Sequence, residues 1–296
     1  MPELPEITTY VDALARRLIG QPLDRVRIAS PSLLRSVDPP VSAVEGRRVT
    51  GISRLGKRIV IELEDELFLV IHLMIAGRFR WKERGAPIPR RMAHAAFDFP
   101  NGTLLLTEAG TRKRASLHIV RGRAGLAAHD RGGLEPLDSS LQEFRGALFR
   151  ENRTLKRALT DPRLFSGIGN AHSDEILWDA GLSPARLTRQ LDEMAGGRLW
   201  EATRRSLREW ISILGDEAGD RFPEKITAFH PRMAVHGRYG QPCPRCGSPI
   251  QRIVYASNET NYCARCQTGG RLLADRAFSR LLREDWPRTL EELEGG

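Results

Sequence analysis

Four cysteines constrain this chain more than any other residues. They fall together in CPRCGSPIQRIVYASNETNYCARC, as Cys243, Cys246, Cys263 and Cys266, two CxxC pairs sixteen residues apart, and the sequence has no other cysteine. Each CxxC turn aims two thiolates at one point, and the intervening segment reads as a hairpin that returns the second pair to close a tetrahedral four-sulfur site. Four protein ligands leave no open position for a substrate, so the pattern predicts one structural Zn2+ bound as part of folding. Two disulfides are the competing arrangement, disfavoured by the lack of a secretory signal.

Charge points to the partner. Lys and Arg number 46 against 37 acidic residues, a net charge of +9, which favours a polyanion, nucleic acid ahead of an anionic membrane surface. No apolar run approaches the roughly 20 residues that span a bilayer. The start, MPELPE, carries Glu3 and Glu6 and no apolar core of a signal peptide. The expectation is a cytoplasmic protein, nucleoid-associated in a bacterium, with no membrane partner.

The chain reads as an α+β protein of two halves. After MPELPE, Ile7, Val11, Leu14 and Leu18 lie on one helical stripe that Gly20 and Pro22 stop. From Leu23 to Gly122 short apolar runs separated by turn residues predict an antiparallel β-sandwich, with Asn101-Gly102 as one hairpin signal. The domain boundaries that follow are a helix and sandwich over 1–122, a Gly-rich linker over 123–138, helices over 139–236, the cysteine ribbon over 237–270 and an extension over 271–296. In the helical part SSLQEFRGALF, RTLKRALTD, NAHSDEILWDAGL, ARLTRQLDEMAG and GRLWEATRRSLREWISILGDEAG each read as a helix. In the extension Leu273, Ala277 and Leu281 suit a short packed helix with an acidic end.

Within LKRALTDPRLFSGIGNAHSDEIL, the SGIG turn divides two helices and Asn170 is placed to cap the second. A helix N-terminus approached through glycines is a good phosphate site, although a plain helix hairpin has the same pattern.

MPELPEI, LGKR around Lys57, HLMIAGRF from His72, SGIGNAHSDEIL and the CxxC ribbon, in this order along the chain, resemble the family of formamidopyrimidine-DNA glycosylase and endonuclease VIII. The resemblance implies a helix-two-turns-helix domain and an enzyme of base-excision repair. Such an enzyme flips an oxidised base out of double-stranded DNA, cuts its glycosidic bond and nicks the strand at the abasic sugar by β/δ-elimination, acting as a monomer. It implies Pro2 as the nucleophile once Met1 is trimmed, Glu3 as proton carrier, Lys57 as a contact to phosphate or sugar oxygen, and Glu6 as possible catalytic support. Lys156 and Asn170 match phosphate-binding positions, His72 is a candidate DNA contact, and Met74, placed with His72 on one strand, matches the wedge that fills the hole left by the flipped base.

The amine chemistry suits the first role. An α-amine has a pKa near 7.7–8.0, so roughly a tenth is unprotonated at neutral pH, whereas a free lysine is almost wholly charged.

Three departures from the family pattern stand out. Asn258 occupies the usual place of a ribbon arginine that reaches a phosphate, with Gln251, Arg252 and Asn261 as candidates to compensate. Arg112, Lys113 and Arg114 replace the family's turn that reads the opposite base, with Arg112 the assigned DNA contact. FPEKITAFHPRMAVHGRYGQPC lacks the glycine-rich loop that covers an oxidised purine. The alternative to an enzyme is a protein that keeps the fold and binds damaged DNA without cutting it.

Overall fold

The computed structural model describes residues 1–89, 92–109, 113–255, 258–274 and 287–294. Two compact units form, the first from residues 1–131 and 210–228, the second from residues 132–209 and 229–296.

The first unit opens with α1 (Leu4–Leu18), which buries Leu4, Ile7, Tyr10, Leu14 and Leu18 and presents Arg16 and Arg17 in its last turn. Eight strands follow: β1 (Arg25–Ile28), β2 (Val49–Leu55), β3 (Arg58–Leu63), β4 (Leu67–His72), β5 (Gly77–Lys82), β6 (Ala93–Phe99), β7 (Gly102–Glu108) and β8 (Ser116–Arg121). They make two four-stranded antiparallel sheets, β1-β6-β7-β5 and β2-β3-β4-β8, the layers of the sandwich. The hairpin between β6 and β7 turns on Pro100 and Asn101. Gly102 instead pairs with Phe99, and a Cβ there would meet the Trp81 ring at 2.4 Å.

Strands β3 and β4 are apolar on successive residues because both of their faces are covered. Val60, Phe68 and Val70 pack with Leu126, which belongs to α2 (Gly122–Ala127). One of the glycines of the Gly-rich linker, Gly125, lies inside that helix, so the segment is in part a lid on the sheet.

In the second unit, α3 (Leu141–Phe149) starts in a reciprocal cap. The Glu143 N–H donates to Ser140 Oγ at 3.2 Å, and the Ser140 N–H to Glu143 Oε2 at 2.9 Å. Helices α4 (Leu155–Thr160) and α5 (Asn170–Asp179) flank the SGIG turn, where Gly167 has φ +77°. The segment ARLTRQLDEMAG does not form a helix of its own. Thr188–Gln190 make a single 3-10 turn, and α6 (Glu193–Ala218) takes in EMAG and runs on to Ala218 as one 26-residue helix, its residues from 210 onward counted with the first unit. Asp192 explains the start, since its Oδ1 accepts the Ala195 N–H at 2.7 Å. The Gly196-Gly197 pair lies inside the helix.

The ribbon hairpin pairs β9 (Ile250–Tyr255) with β10 (Asn258–Cys263), and α7 (Ala264–Thr268) carries its last cysteine. Part of the extension folds onto it. In a last helical turn, Leu290–Glu294, Leu290 is buried against Ile253, Tyr262 and Ala264, with Leu272 and Leu273 beside them. The Leu273 N–H donates to the Tyr262 hydroxyl at 2.7 Å, and the Leu290 N–H to the Gly270 carbonyl at 3.0 Å. Ala277 and Leu281 lie outside the described residues. No described helix is long and apolar enough to cross a membrane.

Candidate functional site

The amino terminus is built into the first unit's core. Pro2 is buried, Glu3 is 2% exposed and Glu6 is not exposed at all. Glu3 is the N-cap residue of α1, with Pro5 in the first turn, where a missing N–H costs nothing. The Glu6 carboxylate turns back and accepts the Glu3 backbone N–H at 2.7 Å.

Four charges act on the terminal amine of Met1. Glu3 and Glu6 stabilise its cationic form, Arg78 and Lys57 oppose it, and burial outweighs them all, holding its pKa below the ordinary α-amine value. Lys57 reaches this place from the tight turn between β2 and β3, where Gly56 has φ +60° and Leu55 pairs with Arg58.

Arg78 was not singled out in the sequence, although it stands in the HLMIAGRF run. It lies on β5 and donates through Nη1 to the carbonyls of Ile75 at 3.2 Å and Gly77 at 2.6 Å. Those bonds brace the turn that holds Met74. Met74 is not on the strand with His72, because β4 ends at His72 and Met74 sits beyond it with φ +55°. A left-handed backbone is costly for a residue with a Cβ. Gly77 closes the turn by donating to the Leu73 carbonyl at 2.9 Å, and a Cβ on it would meet that oxygen at 2.1 Å. His72 lies on β4 next to Arg58, and burial with the charges of Arg58, Lys57 and His118 lowers its pKa to about 4.

Arg112 lies outside the described residues. Beyond it, Arg114 and Ala115 are held by Glu108, 1% exposed, whose carboxylate accepts their N–H groups at 3.0 Å and 3.2 Å. Lys113 donates to the Glu108 carbonyl.

The second unit carries its own constellation. Lys156 Nζ donates to the Asn170 carbonyl at 2.6 Å and to Asp174 Oδ1 at 2.5 Å. Asp174 is 1% exposed, and its other oxygen meets His236 Nδ1 at 2.7 Å and the Asn261 N–H at 3.1 Å. Asn170 does not cap α5. It is the first helical residue after Gly169, and its amide donates to the Glu259 carbonyl of the ribbon at 2.8 Å. Glu175 accepts the N–H groups of Ala234, Val235 and His236. Asp174 and Glu175 thus tie α5 to the segment that leads into the ribbon. Both stand in SGIGNAHSDEIL, where a helix carboxylate gave no sign of its partners.

The four cysteines converge. Their sulfurs all lie within 4.8 Å of one another, with Cys246 and Cys263 at 3.4 Å and Cys243 and Cys266 at 3.9 Å. A tetrahedral Zn2+ with bonds of about 2.3 Å separates its sulfurs by about 3.8 Å, while a disulfide needs about 2.05 Å. The donor set fits one structural zinc, and the thiols are not paired as disulfides. Trp178 Nε1–H points at Cys243 Sγ from 3.4 Å. Asn258 opens β10 exposed, opposite Tyr255. Of the candidate substitutes, Arg252 lies over the Tyr239 ring at 4.3 Å and 3.6 Å from Glu259, and Asn261 is buried, accepting the Gly237 N–H.

Comparison with known proteins accounts for both units. Residues 1–116 match the formamidopyrimidine-DNA glycosylase N-terminal domain and residues 133–220 its H2TH domain, while residues 240–269 match a zinc finger found in Fpg and in IleRS. A formamidopyrimidine-DNA glycosylase of Heliobacterium modesticaldum is 34% identical over 90% of this chain and all of its own length. The chain belongs to the formamidopyrimidine-DNA glycosylase family. The glycosylase of Thermus thermophilus, 36% identical, likewise aligns over its whole length with 91% of this chain. Among solved structures of family members, Lactococcus lactis Fpg bound to an abasic site containing DNA superposes with a TM-score of 0.80 at 27% identity, covering 90% of this chain and 99% of that one. The same enzyme bound to an oxidized pyrimidine containing DNA gives 0.80 at 28%, covering 90% and 100%.

Proposed function

We propose that this protein removes oxidised bases from double-stranded DNA and cuts the strand at the resulting abasic site, acting as a monomer in the cytoplasm. The observation that carries the reading is the buried amino terminus, with Glu3, Glu6, Lys57 and Arg78 near enough for their charges to act on the terminal amine.

Removal of Met1 leaves Pro2 with a secondary amine one residue farther along the chain. The desolvation and the cations that depress the Met1 amine then act on Pro2, raising its neutral fraction at pH 7. The Pro2 nitrogen attacks C1′ and passes its proton to the Glu3 carboxylate, while the base departs with the electrons of the glycosidic bond and takes a proton from water. Glu3 protonates the ring oxygen as the sugar opens, which leaves an iminium between Pro2 and C1′. That cation acidifies the C2′ proton, so the 3′ phosphate leaves by β-elimination and the 5′ phosphate by δ-elimination. Water finally frees Pro2.

Glu6 fixes Glu3 through its backbone and acts as a positioning residue. Lys57 and His72 hold phosphate next to the reacting sugar, and Met74, presented on its strained turn, enters the stack as the base leaves it. Lys156 and Asn170 hold further phosphates from the second unit, with Arg112 and Asn258 as the remaining contacts to DNA. Zinc keeps the ribbon folded and takes no part in the chemistry.

The test is a panel of duplexes carrying 8-oxoguanine, a formamidopyrimidine, oxidised pyrimidines or an abasic site, each with varied opposite bases. Cleavage at the abasic site and at one or more oxidised bases supports the reading. Binding without any cleavage by protein that starts at Pro2 refutes it.

A further inference from the structure

The basic surface around Lys57 does not end there. Arg58, His72 and Ser116 form one cross-strand row over β3, β4 and β8, and His118, two residues along β8, stands on the same face. His129, which follows α2, brings its ring to His118 with centroids 4.6 Å apart. The Arg58 guanidinium donates to the His129 carbonyl at 3.2 Å. Arg58 and the three histidines are half-buried, with part of each still open to solvent.

The charges acting on each imidazole are cationic. Arg58, Lys57 and His118 act on His72, His129, Arg58 and Arg35 on His118, and Arg58 on His129. Arg131 adds to the field at Arg58, and Asp130 opposes it. Burial first, then this crowding, holds all three rings below their ordinary pKa and therefore neutral at pH 7. His118 Nδ1 is buried and has no hydrogen-bond partner among the described residues. Packing like charges together costs stability unless an anion joins them.

We propose that Arg58, His118 and His129 extend the Lys57–His72 site into a second phosphodiester subsite, which takes up protons as it receives a phosphate of the DNA backbone. A neutral imidazole offers one N–H and its cation two. A phosphate placed among these rings favours the cationic form and raises each pKa, so binding and protonation promote each other. Affinity therefore rises as pH falls through the pKa values of the complex and levels off below those of the free protein.

This inference rests on the reading of the protein as an enzyme acting on DNA, and the experiment separates the two. Dissociation constants for a duplex with a stable abasic-site analogue would be measured from about pH 8 to pH 5.5, and across a salt series, for the wild type, His129→Gln and the double variant His118→Gln/His129→Gln. The wild type should bind about tenfold more tightly per pH unit for each proton taken up. The double variant should lose most of that gain, with a salt slope shallower by about one. His129→Gln, which alters no strand, should lose part of it and keeps the test decisive if the double variant does not fold. Variants with the wild-type pH profile and salt slope overturn the subsite, as does a wild-type affinity that is flat with pH. Borohydride trapping of the same wild-type protein on abasic DNA reports on the enzyme reading alone. Trapping with a flat pH profile removes only the subsite, and no trapping removes the reading beneath it.

Discussion

Glu6 Oε2 accepts the backbone N–H of Glu3 at 2.7 Å, and the Glu6 side chain is wholly buried. The residue after the proposed nucleophile is thereby fixed by a charge-assisted bond from the helix it starts. Glu6→Ala leaves the Glu3 N–H buried without its acceptor, which should cost about 1–3 kcal/mol in thermal or denaturant unfolding. It should also slow single-turnover trapping on abasic DNA, on the order of 100-fold if the nucleophile shifts by about 1 Å. Glu6→Gln keeps an acceptor oxygen and should fall between the two. A Glu6→Ala protein with wild-type trapping and stability would remove Glu6 from the account.

The environment of the amine predicts a pH profile. Burial lowers the pKa of the terminal amine, with Arg78 and Lys57 acting in the same direction. The neutral nucleophile therefore appears as pH rises through a midpoint below that of an ordinary α-amine. The ascending limb of the single-turnover rate against pH should lie below about 7.7. Arg78→Gln removes one opposing cation, so that limb should move upward. An unmoved limb would mean that the Arg78 field does not reach the reacting nitrogen.

The turn after β4 separates stability from function. Met74 holds φ +55° and Gly77 closes the turn against the Leu73 carbonyl. Met74→Gly relieves left-handed strain worth about 1 kcal/mol, so the melting temperature should not fall, yet excision of a damaged base should drop at least tenfold without the wedge. Gly77→Ala forces a Cβ to within 2.1 Å of a carbonyl oxygen and should destabilise the first unit by about 2 kcal/mol or more.

Zinc removal should be visible in one tryptophan. Trp178 donates to Cys243 Sγ and packs on the ribbon's cysteine cluster. Chelation should change Trp178 fluorescence and abolish DNA binding together, because the ribbon folds around its metal. Binding unchanged after verified metal loss would contradict the structural role.

The end of the extension acts as a strap on the ribbon. Leu290 is 2% exposed among Ile253, Tyr262 and Ala264, so Leu290→Asp places a charge in that cluster. It should cost about 3 kcal/mol and speed zinc release to a chromogenic chelator. Equal release rates would show that the strap does not support the metal site.

The sandwich, the ribbon and its metal were legible in the sequence because each writes a local pattern. Strand runs are bounded by turn residues, and CxxC spacing has few alternatives. What was hidden depends on distant partners. Asn170 has the residue type of a cap but spends its amide on the Glu259 carbonyl. Gly196-Gly197 reads as a break but lies inside α6, since Asp192 starts that helix earlier. The α2 segment looks like linker because its role, to cover Val60 and Phe68, is visible only once β3 and β4 pair. In the site, Pro2, Glu3 and Lys57 came from motif resemblance. Arg78, Asp174 and His236 went unnoticed because a lone arginine, aspartate or histidine carries no periodic signal.

The central claim is that the Pro2 amine forms the bond to the sugar. The most direct measurement is borohydride reduction of the protein on abasic-site DNA, followed by mass spectrometry of the cross-linked peptide, with Pro2→Gly alongside. The account predicts a cross-link on Pro2 in protein that has lost Met1 and little or none in Pro2→Gly. A cross-link on Lys57 or another lysine, equal trapping by Pro2→Gly, or no cross-link from verified Pro2-started protein would contradict it.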